Sequence, residues 1–179
     1  MDLMELIQKR ESCRSYSERK VERTKIEACI EAARLAPSAC NSQPWRYLVV
    51  TKSEYLPEIA QSLQIDGFNR FAEQCPAFIV VLEQPALLMN GRSGDQQQDQ
   101  RFAEIDIGLS VMQLCLEAQE QGLGSCILGS FDEKRIRRLL SVPDDIEIKL
   151  LISLGYSRSE TPRKKIRKSI DQIVTYISE

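Results

Sequence analysis

Apolar residues recur with two different periods along this chain, and the alternation of those periods predicts a mixed fold of helices and strands. Helical spacing is present over residues 2–9, 24–36, 53–63, 102–121 and 132–140. Short runs rich in β-branched, aromatic or other apolar residues predict strands at 45–51, 77–82, 125–128 and 146–154. Helices that flank a sheet of four or five strands are therefore expected, in an α+β or mixed α/β arrangement.

Capping residues and helix breakers indicate where several helices begin and end. Thr24 with Glu27 three residues later fits a capping box, and Ser53 is an expected N-cap of the third helix. Pro37 is expected to end the second helix, and Gly122 the fourth, in a left-handed conformation. Within the fourth helix four apolar residues share one face, namely Ile105, Leu109, Met112 and Leu116.

The segment from Glu83 to Gln100 differs from the rest of the chain. It is polar, rich in Gln, and contains Gly91 and Gly94. A loop of this length in a compact domain is usually functional or disordered.

Composition narrows the possible chemistry. Of 179 residues, 42% are hydrophobic and 28% are charged, which is typical of one ordinary globular domain spanning residues 1–179. The 24 Lys and Arg against 26 Asp and Glu leave a net charge of -2, so nucleic acid and anionic membranes are not expected partners. Histidine is absent, which excludes His-dependent triads, imidazole bases and His-ligated metals.

Cysteine usage and the N-terminus predict a cytoplasmic protein. The six cysteines form no C-x-x-C pair, and Cys29 and Cys115 lie in apolar parts of predicted helices, which favours reduced, buried thiols. No signal-peptide pattern begins the sequence, and no apolar run approaches the ~20 residues that cross a bilayer.

Two basic stretches are candidates for binding a phosphate. Arg10-x-Ser12-x-Arg14 offers two guanidinium groups and a hydroxyl, and the basic tail over 158–179 contains Lys165 and Arg167. The two stretches could converge on one phosphate in the fold. A solvated, charged surface is the alternative interpretation of each.

Two further stretches combine turn residues with polar or flexible ones. Residues 36–45 (APSACNSQPW) predict a rigid loop with amide side chains, although a simple link between helix and strand would look similar. Glycines within 122–129 would let the backbone approach a flat ligand closely, although Gly122 alone needs only a helix C-cap.

In this order and spacing the motifs resemble those of the nitroreductase family of FMN-dependent oxidoreductases. The resemblance covers almost the whole chain except 83–100. The matching motifs are Arg10-x-Ser12-x-Arg14-x-Tyr16, Ala36-Pro37-Ser38-x-x-Asn41-x-Gln43-Pro44-Trp45, Asp106-x-Gly108, Gly122-Leu123-Gly124-Ser125-Cys126 with Gly129, Gly155-Tyr156 and Lys165-x-Arg167. The resemblance implies a nitroreductase-like α+β fold with a central, mostly antiparallel sheet. It also implies an interlocked homodimer with FMN at the subunit interface.

The resemblance assigns a phosphate clamp to residues at the two ends of the chain. These are Arg10, Ser12, Lys165 and Arg167. It places Arg14 near the ribityl chain or the pyrimidine edge, where positive charge favours reduced flavin.

The flavin ring receives other contacts in the same assignment. Pro37, Ser38 and Asn41 are implied contacts from the partner subunit, and Asn69 an implied contact at the pyrimidine edge. The backbone amide of Gly129 is implied to face flavin N5. No catalytic side chain is expected, because the flavin carries the chemistry.

Several positions depart from the family pattern. Ala39 replaces a frequent serine, Gln113 a frequent asparagine, and Ile127-Leu128 a frequent Trp-Ile pair. Glu11 would repel a phosphate if it faced the clamp, so it is expected to point away.

The implied activity is ping-pong transfer of hydride from NADH or NADPH, through flavin N5, to a small electron-poor acceptor of nitroaromatic or quinone type. No Rossmann fingerprint is present to indicate the donor. The alternatives are a non-enzymatic flavin-binding protein and a specialised relative that fragments flavin or removes halogen. The polar segment 83–100 is expected to be a mobile lid over the acceptor pocket.

Overall fold

A computed structural model describes residues 2–89, 95–159 and 161–177. In this part of the chain the strands are β1 (Trp45–Val50), β2 (Ala77–Glu83), β3 (Leu87–Met89), β4 (Gln96–Gln98), β5 (Gly124–Leu128) and β6 (Glu147–Gly155). Four of them form the central sheet in the order β1-β2-β6-β5, and every neighbouring pair is antiparallel. The expected antiparallel sheet is thus confirmed.

Helices cover both faces of this sheet. They are α1 (Leu3–Lys9), α2 (Arg23–Arg34), α3 (Leu56–Ser62), α4 (Ala103–Glu120) and α5 (Glu133–Leu140). Helices α2 and α4 contribute to the core on one face, and α3 and α5 to the core on the other. Strand β2 alternates between the two cores, with Phe78 facing one and Ile79 the other. Burial on both faces explains why its sequence is apolar from Ala77 to Leu82.

The predicted capping box at Thr24 is wrong. Helix α2 begins one residue earlier, at Arg23, and its N-cap Glu22 makes no capping hydrogen bond with its side chain. The Glu22 carboxylate instead accepts hydrogen bonds from the Tyr156 hydroxyl at 2.6 Å and from Arg19 at 2.7 Å. The Glu22 side chain thus binds a residue 134 positions away rather than capping the helix, a contact that local spacing does not reveal.

The predicted cap at Ser53 is also wrong, because α3 begins at Leu56 with Tyr55 as its N-cap. Pro57 lies in the first turn, where its missing N–H costs nothing. Two other predicted boundaries are confirmed. The Asp132 carboxylate accepts from the Arg135 N–H at 3.0 Å to cap α5, and Gly122 adopts a φ of +74° after α4.

The polar segment 83–100 contains an antiparallel hairpin rather than only a loop. Leu87 pairs with Gln98, and the Asp99 N–H donates to the Ala86 carbonyl at 2.9 Å. At the two ends of the segment, the Gln100 side-chain amide donates to Glu83 Oε1 at 2.5 Å. Residues 90–94, which include both glycines, lie outside the described residues. The mobility of this segment stays a prediction.

Helix α4 is apolar on more than one side. The face formed by Ile105, Leu109 and Met112 is exposed, whereas Ile107 and Leu114 fill the core. None of the helices in the described ranges is both long and apolar enough to cross a membrane.

All six cysteines are free thiols, and five of them are buried. The predicted burial of Cys29 and Cys115 is confirmed, and burial raises the pKa of the Cys29 thiol to about 12. Cys40 is the exposed one.

Candidate functional site

The N-terminal segment 10–14 lies alongside the start of β5. Ser12 forms an isolated parallel bridge with Ser125, and the Cys13 N–H donates to the Ser125 carbonyl at 2.9 Å. Gly124 permits this close approach, because a Cβ there would lie 2.7 Å from both Cβ and Sγ of Cys13. The glycine predicted to allow close backbone approach therefore accommodates the chain's own N-terminal segment.

The tail after β6 returns to the same place. The Arg158 N–H donates to the Ser15 carbonyl at 3.1 Å. Between the tail and segment 10–14 lies a pocket of about 300 Å³, which we call the basic pocket. Its lining residues are Arg10, Glu11, Ser12, Arg14, Arg163, Lys164, Lys165, Ile166 and Arg167. The structure thus brings together the four expected clamp residues, with Arg14 beside them.

Arg10 shows that the basic pocket fits a phosphate. Its Nε is buried and has no hydrogen-bond partner among the described residues. A buried guanidinium nitrogen without a partner costs free energy, which a phosphate oxygen at this position would recover. The planar fork of Arg donors suits the oxygens of a phosphate.

Lys165 occupies the pocket wall next to the end of α1. Its Nζ donates to the carbonyls of Ile7 at 2.5 Å and Gln8 at 2.6 Å, where the helix dipole favours a cation. Burial, together with the positive charges of Arg10 and Arg167, lowers the pKa of Lys165. The neighbouring positive charges therefore disfavour the protonated form of Lys165.

Glu11 lies between the basic pocket and a second pocket of about 410 Å³, since it lines both, and its expected orientation away from a phosphate stays a prediction. Its Oε2 accepts hydrogen bonds from the backbone N–H of Arg163 at 3.1 Å and from Arg163 Nε at 2.9 Å. The carboxylate is therefore paired with a cation of the tail. Nothing local in the sequence indicates this contact, because the two residues are 152 positions apart.

The loop after α2 is held in an unusual conformation. Asn41 and Gln43 have φ values of +54° and +50°, which non-glycine residues seldom adopt. Ser38 Oγ accepts from the Gln43 N–H at 2.9 Å, and the Ala39 N–H donates to Oδ2 of the buried Asp106 at 3.1 Å. The predicted rigid loop is thus organised by side chains within it and by α4.

Pro37, Ser38 and Asn41 do not line the basic pocket of their own chain. Pro37 and Asn41 are exposed, and Ser38 is half-buried. These three residues therefore remain available to a ligand or a second molecule outside this pocket.

Gly129 and Asn69 lie outside the basic pocket as well. Gly129 follows β5 directly, is exposed, and has no atom within 4 Å of an added Cβ. Asn69 has a φ of +55°, and its Nδ2 donates to the Leu63 carbonyl at 3.1 Å. The carbonyl of Ser62, the residue before Leu63, accepts a hydrogen bond from the Asp132 N–H at 2.8 Å. Asn69 and Gly129 therefore both lie near the junction of α3 with the loop after β5.

No cluster of His, Cys, Asp and Glu side chains suited to a metal ion occurs in the described ranges. Six of the residues that line the basic pocket are cationic and one, Glu11, is acidic, and this excess of positive charge suits an anion.

Comparison with known proteins identifies the family. The model of the Nitroreductase family matches residues 7–156. An NADH dehydrogenase of Thermus thermophilus is 32% identical over 180 residues, which cover 85% of this chain and 85% of that protein. A crystal structure of a nitroreductase family protein from Clostridium difficile 630 has a TM-score of 0.81 and 29% identity, covering 99% of both chains. An FMN-dependent nitroreductase of Clostridium difficile R20291 has a TM-score of 0.77 and 26% identity, covering 98% of this chain and 99% of its own. Because this family model matches residues 7–156, which is most of the chain, the chain belongs to the nitroreductase family.

Proposed function

We propose that this chain is an FMN-dependent oxidoreductase that takes hydride from NADH or NADPH and reduces a small, electron-poor acceptor of nitroaromatic or quinone type. The observation that carries the proposal is the basic pocket, in which the buried Nε of Arg10 lacks a partner. The names of the relatives agree with this cofactor and with a nicotinamide donor.

The basic pocket is the site for the flavin phosphate in this proposal. Arg10, Ser12, Lys165 and Arg167 supply donors from both ends of the chain. Arg14 adds positive charge, which favours the negative charge that accumulates on the flavin when it is reduced.

In the proposed complex the long axis of FMN lies along strand β5. Ser125, which is bridged to Ser12, and Gly129 are four residues apart, or about 13 Å along an extended strand. A ligand with a phosphate at one end and a flat ring at the other would therefore lie along β5. The open space at Gly129 would let the ring approach its backbone N–H, which would face N5, with Asn69 at the pyrimidine edge.

FMN held by these residues would supply the chemistry of hydride and electron transfer, which no side chain of the chain provides. The chain's own residues bind and orient the reactants, and they exclude water from the ring. No side chain needs to act as an acid or a base. The absence of histidine is compatible with this division of roles.

The exposed apolar surface supports a homodimer. Helix α1 exposes Leu3 and Met4, and α4 exposes Ile105, Leu109 and Met112. Apolar surface of this kind marks sites of protein association. In the proposed dimer Pro37, Ser38 and Asn41 contact the flavin of the partner, since they lie outside their own basic pocket.

The end of the tail supports interlocking of the two protomers. Ile173, Val174 and Tyr176 are exposed, and Ile177 is 99% exposed. Edge strand β1 borders a groove of about 510 Å³ between itself and α2. We propose that only the end of the tail, residues 173–177, crosses to the other protomer, where its β-branched residues suit pairing with a strand edge.

The activity is tested by mixing flavin-loaded protein with NADH or NADPH without oxygen. Bleaching of the flavin band by at least one donor, and its return on addition of a quinone or nitroaromatic, is expected. Initial rates are measured against donor concentration at several fixed acceptor concentrations. The double-reciprocal plots should give parallel lines, as ping-pong kinetics require. Bound flavin that neither donor reduces would contradict the oxidoreductase and favour a non-enzymatic flavin-binding protein.

A further inference from the structure

Arg163 makes three of the hydrogen bonds that hold the tail against the N-terminal part of the chain, and Lys165 makes two more to the end of α1. Besides its two hydrogen bonds to the Glu11 carboxylate, Arg163 donates from Nη2 to the Ser12 carbonyl at 2.6 Å. The Glu11 side chain is only 21% exposed, whereas that of Arg163 is 59% exposed. An isolated ion pair at a surface contributes little, but three hydrogen bonds from one residue act together here.

This contact lies within the basic pocket but differs from its other members. Glu11 is the acidic residue of the lining, and it stands between the clamp residues Arg10 and Ser12. Arg163 precedes Lys165 and Arg167 by two and four residues on the same segment, which contains no helix or strand. Whatever holds Arg163 therefore also limits where the two clamp residues of the tail can lie.

We propose that Glu11 and Arg163 form a latch, which positions the tail over the basic pocket and thereby sets how tightly the flavin phosphate is held. This inference rests on the proposed FMN binding. Both are positioning residues, because they act through Lys165 and Arg167 rather than through the flavin ring.

For removal of the Glu11 carboxylate, the latch and simple electrostatics predict opposite changes in the affinity for FMN. Removal of the Glu11 carboxylate makes the pocket more positive, so charge alone would tighten the binding of an anion. If the carboxylate instead holds the tail in place, its removal weakens FMN binding. The sign of the change therefore separates the two explanations.

The experiment compares FMN with riboflavin, which lacks the phosphate. Flavin-free wild-type chain, Glu11→Ala and Arg163→Ala are titrated with each flavin, and binding is followed by quenching of flavin fluorescence. We expect each variant to bind FMN roughly three- to tenfold more weakly, with riboflavin binding unchanged. Glu58→Ala is a matched control, since it breaks the long-range ion pair with Arg135 between α3 and α5 and should change neither affinity.

Two outcomes would overturn the latch. One is FMN binding that is unchanged or tighter in Glu11→Ala, and the other is an equal loss for FMN and riboflavin, which would indicate general damage to the fold.

A second measurement is independent of flavin. Backbone amides of residues 163–168, among them the Arg163 N–H that donates to the Glu11 carboxylate, should exchange hydrogen faster in Glu11→Ala than in the wild type. Unchanged exchange would refute the latch. A wild-type chain that binds neither flavin would refute the proposed function, and the exchange experiment would still decide the latch.

Discussion

Ser12 and Ser125 form a parallel β-bridge that attaches the N-terminal segment to the first half of β5. Because Gly129 follows the other end of the same strand, the basic pocket and the open backbone at Gly129 are linked by one rigid element. The orientation of the proposed cofactor follows from this link, with its phosphate near Ser12 and its ring near Gly129.

Loss of a clamp arginine should weaken FMN binding. In Arg10→Ala or Arg167→Ala we expect a loss of about 1–3 kcal/mol, because each change removes charged donors from the phosphate. Isothermal titration with FMN measures the change. Arg138→Ala, on the exposed side of α5, is the control and should bind normally. Unaltered affinity in both pocket variants would show that the phosphate binds elsewhere.

Gly124 and Gly129 should respond differently to the same substitution. Gly124→Ala places a methyl group 2.7 Å from Cβ and Sγ of Cys13, whereas Gly129→Ala meets no atom within 4 Å. We expect Gly124→Ala to lower the free energy of unfolding by about 1–3 kcal/mol through overpacking. Gly129→Ala should stay within about 0.5 kcal/mol of the wild type. Denaturant unfolding of both variants measures the difference, and equal stabilities would contradict the packing of Cys13 against β5.

Glu22 should contribute stability that is lost in acid. The hydrogen bond from the Tyr156 hydroxyl, and then that from Arg19, lower the pKa of Glu22 to about 2. A carboxyl whose pKa is lower in the folded chain stabilises it above the unfolded pKa of about 4.3. That contribution disappears as the pH falls from about 4.3 through 2.

The measurement is the melting temperature of the wild type and of Glu22→Gln between pH 7 and pH 2. The difference between them should be constant above about pH 5 and shrink below it. In Tyr156→Phe, which lacks the phenol donor, the acid-dependent part should be smaller. A difference that does not vary with pH would show that Glu22 keeps an ordinary pKa.

The exposed face of α4 should mediate dimer formation. Leu109→Glu places a charge in the middle of the face that Ile105 and Met112 complete, so the variant should sediment as a monomer. The wild type should sediment as a dimer. A circular dichroism spectrum like that of the wild type would show that the variant still folds. A wild-type monomer, or a variant that remains dimeric, would contradict the interface.

The sheet and most helices could be predicted from the sequence because their patterns are local. Strand β2 is apolar from Ala77 to Leu82, since both of its faces are buried there, and Gly122 follows α4 in the left-handed conformation that glycine favours. The hairpin of β3 and β4 could not be predicted, because β4 consists of three exposed glutamines and carries no strand signal.

Contacts between distant parts of the chain were predicted less well. The convergence of Arg10 and Arg167 was anticipated from their chemistry and from the family resemblance, whereas the pairing of Glu11 with Arg163 was not. The starts of α2 at Arg23 and of α3 at Leu56 were misplaced, because local capping preferences reveal neither the contact of the N-cap Glu22 with Tyr156 nor the use of Tyr55 as an N-cap.

The most direct test of the account is the absorption spectrum of the freshly purified protein, with identification of any flavin released on denaturation. We predict a yellow protein that releases FMN in an amount equimolar with the chain. A colourless protein that takes up no added FMN would contradict the proposed FMN-dependent function.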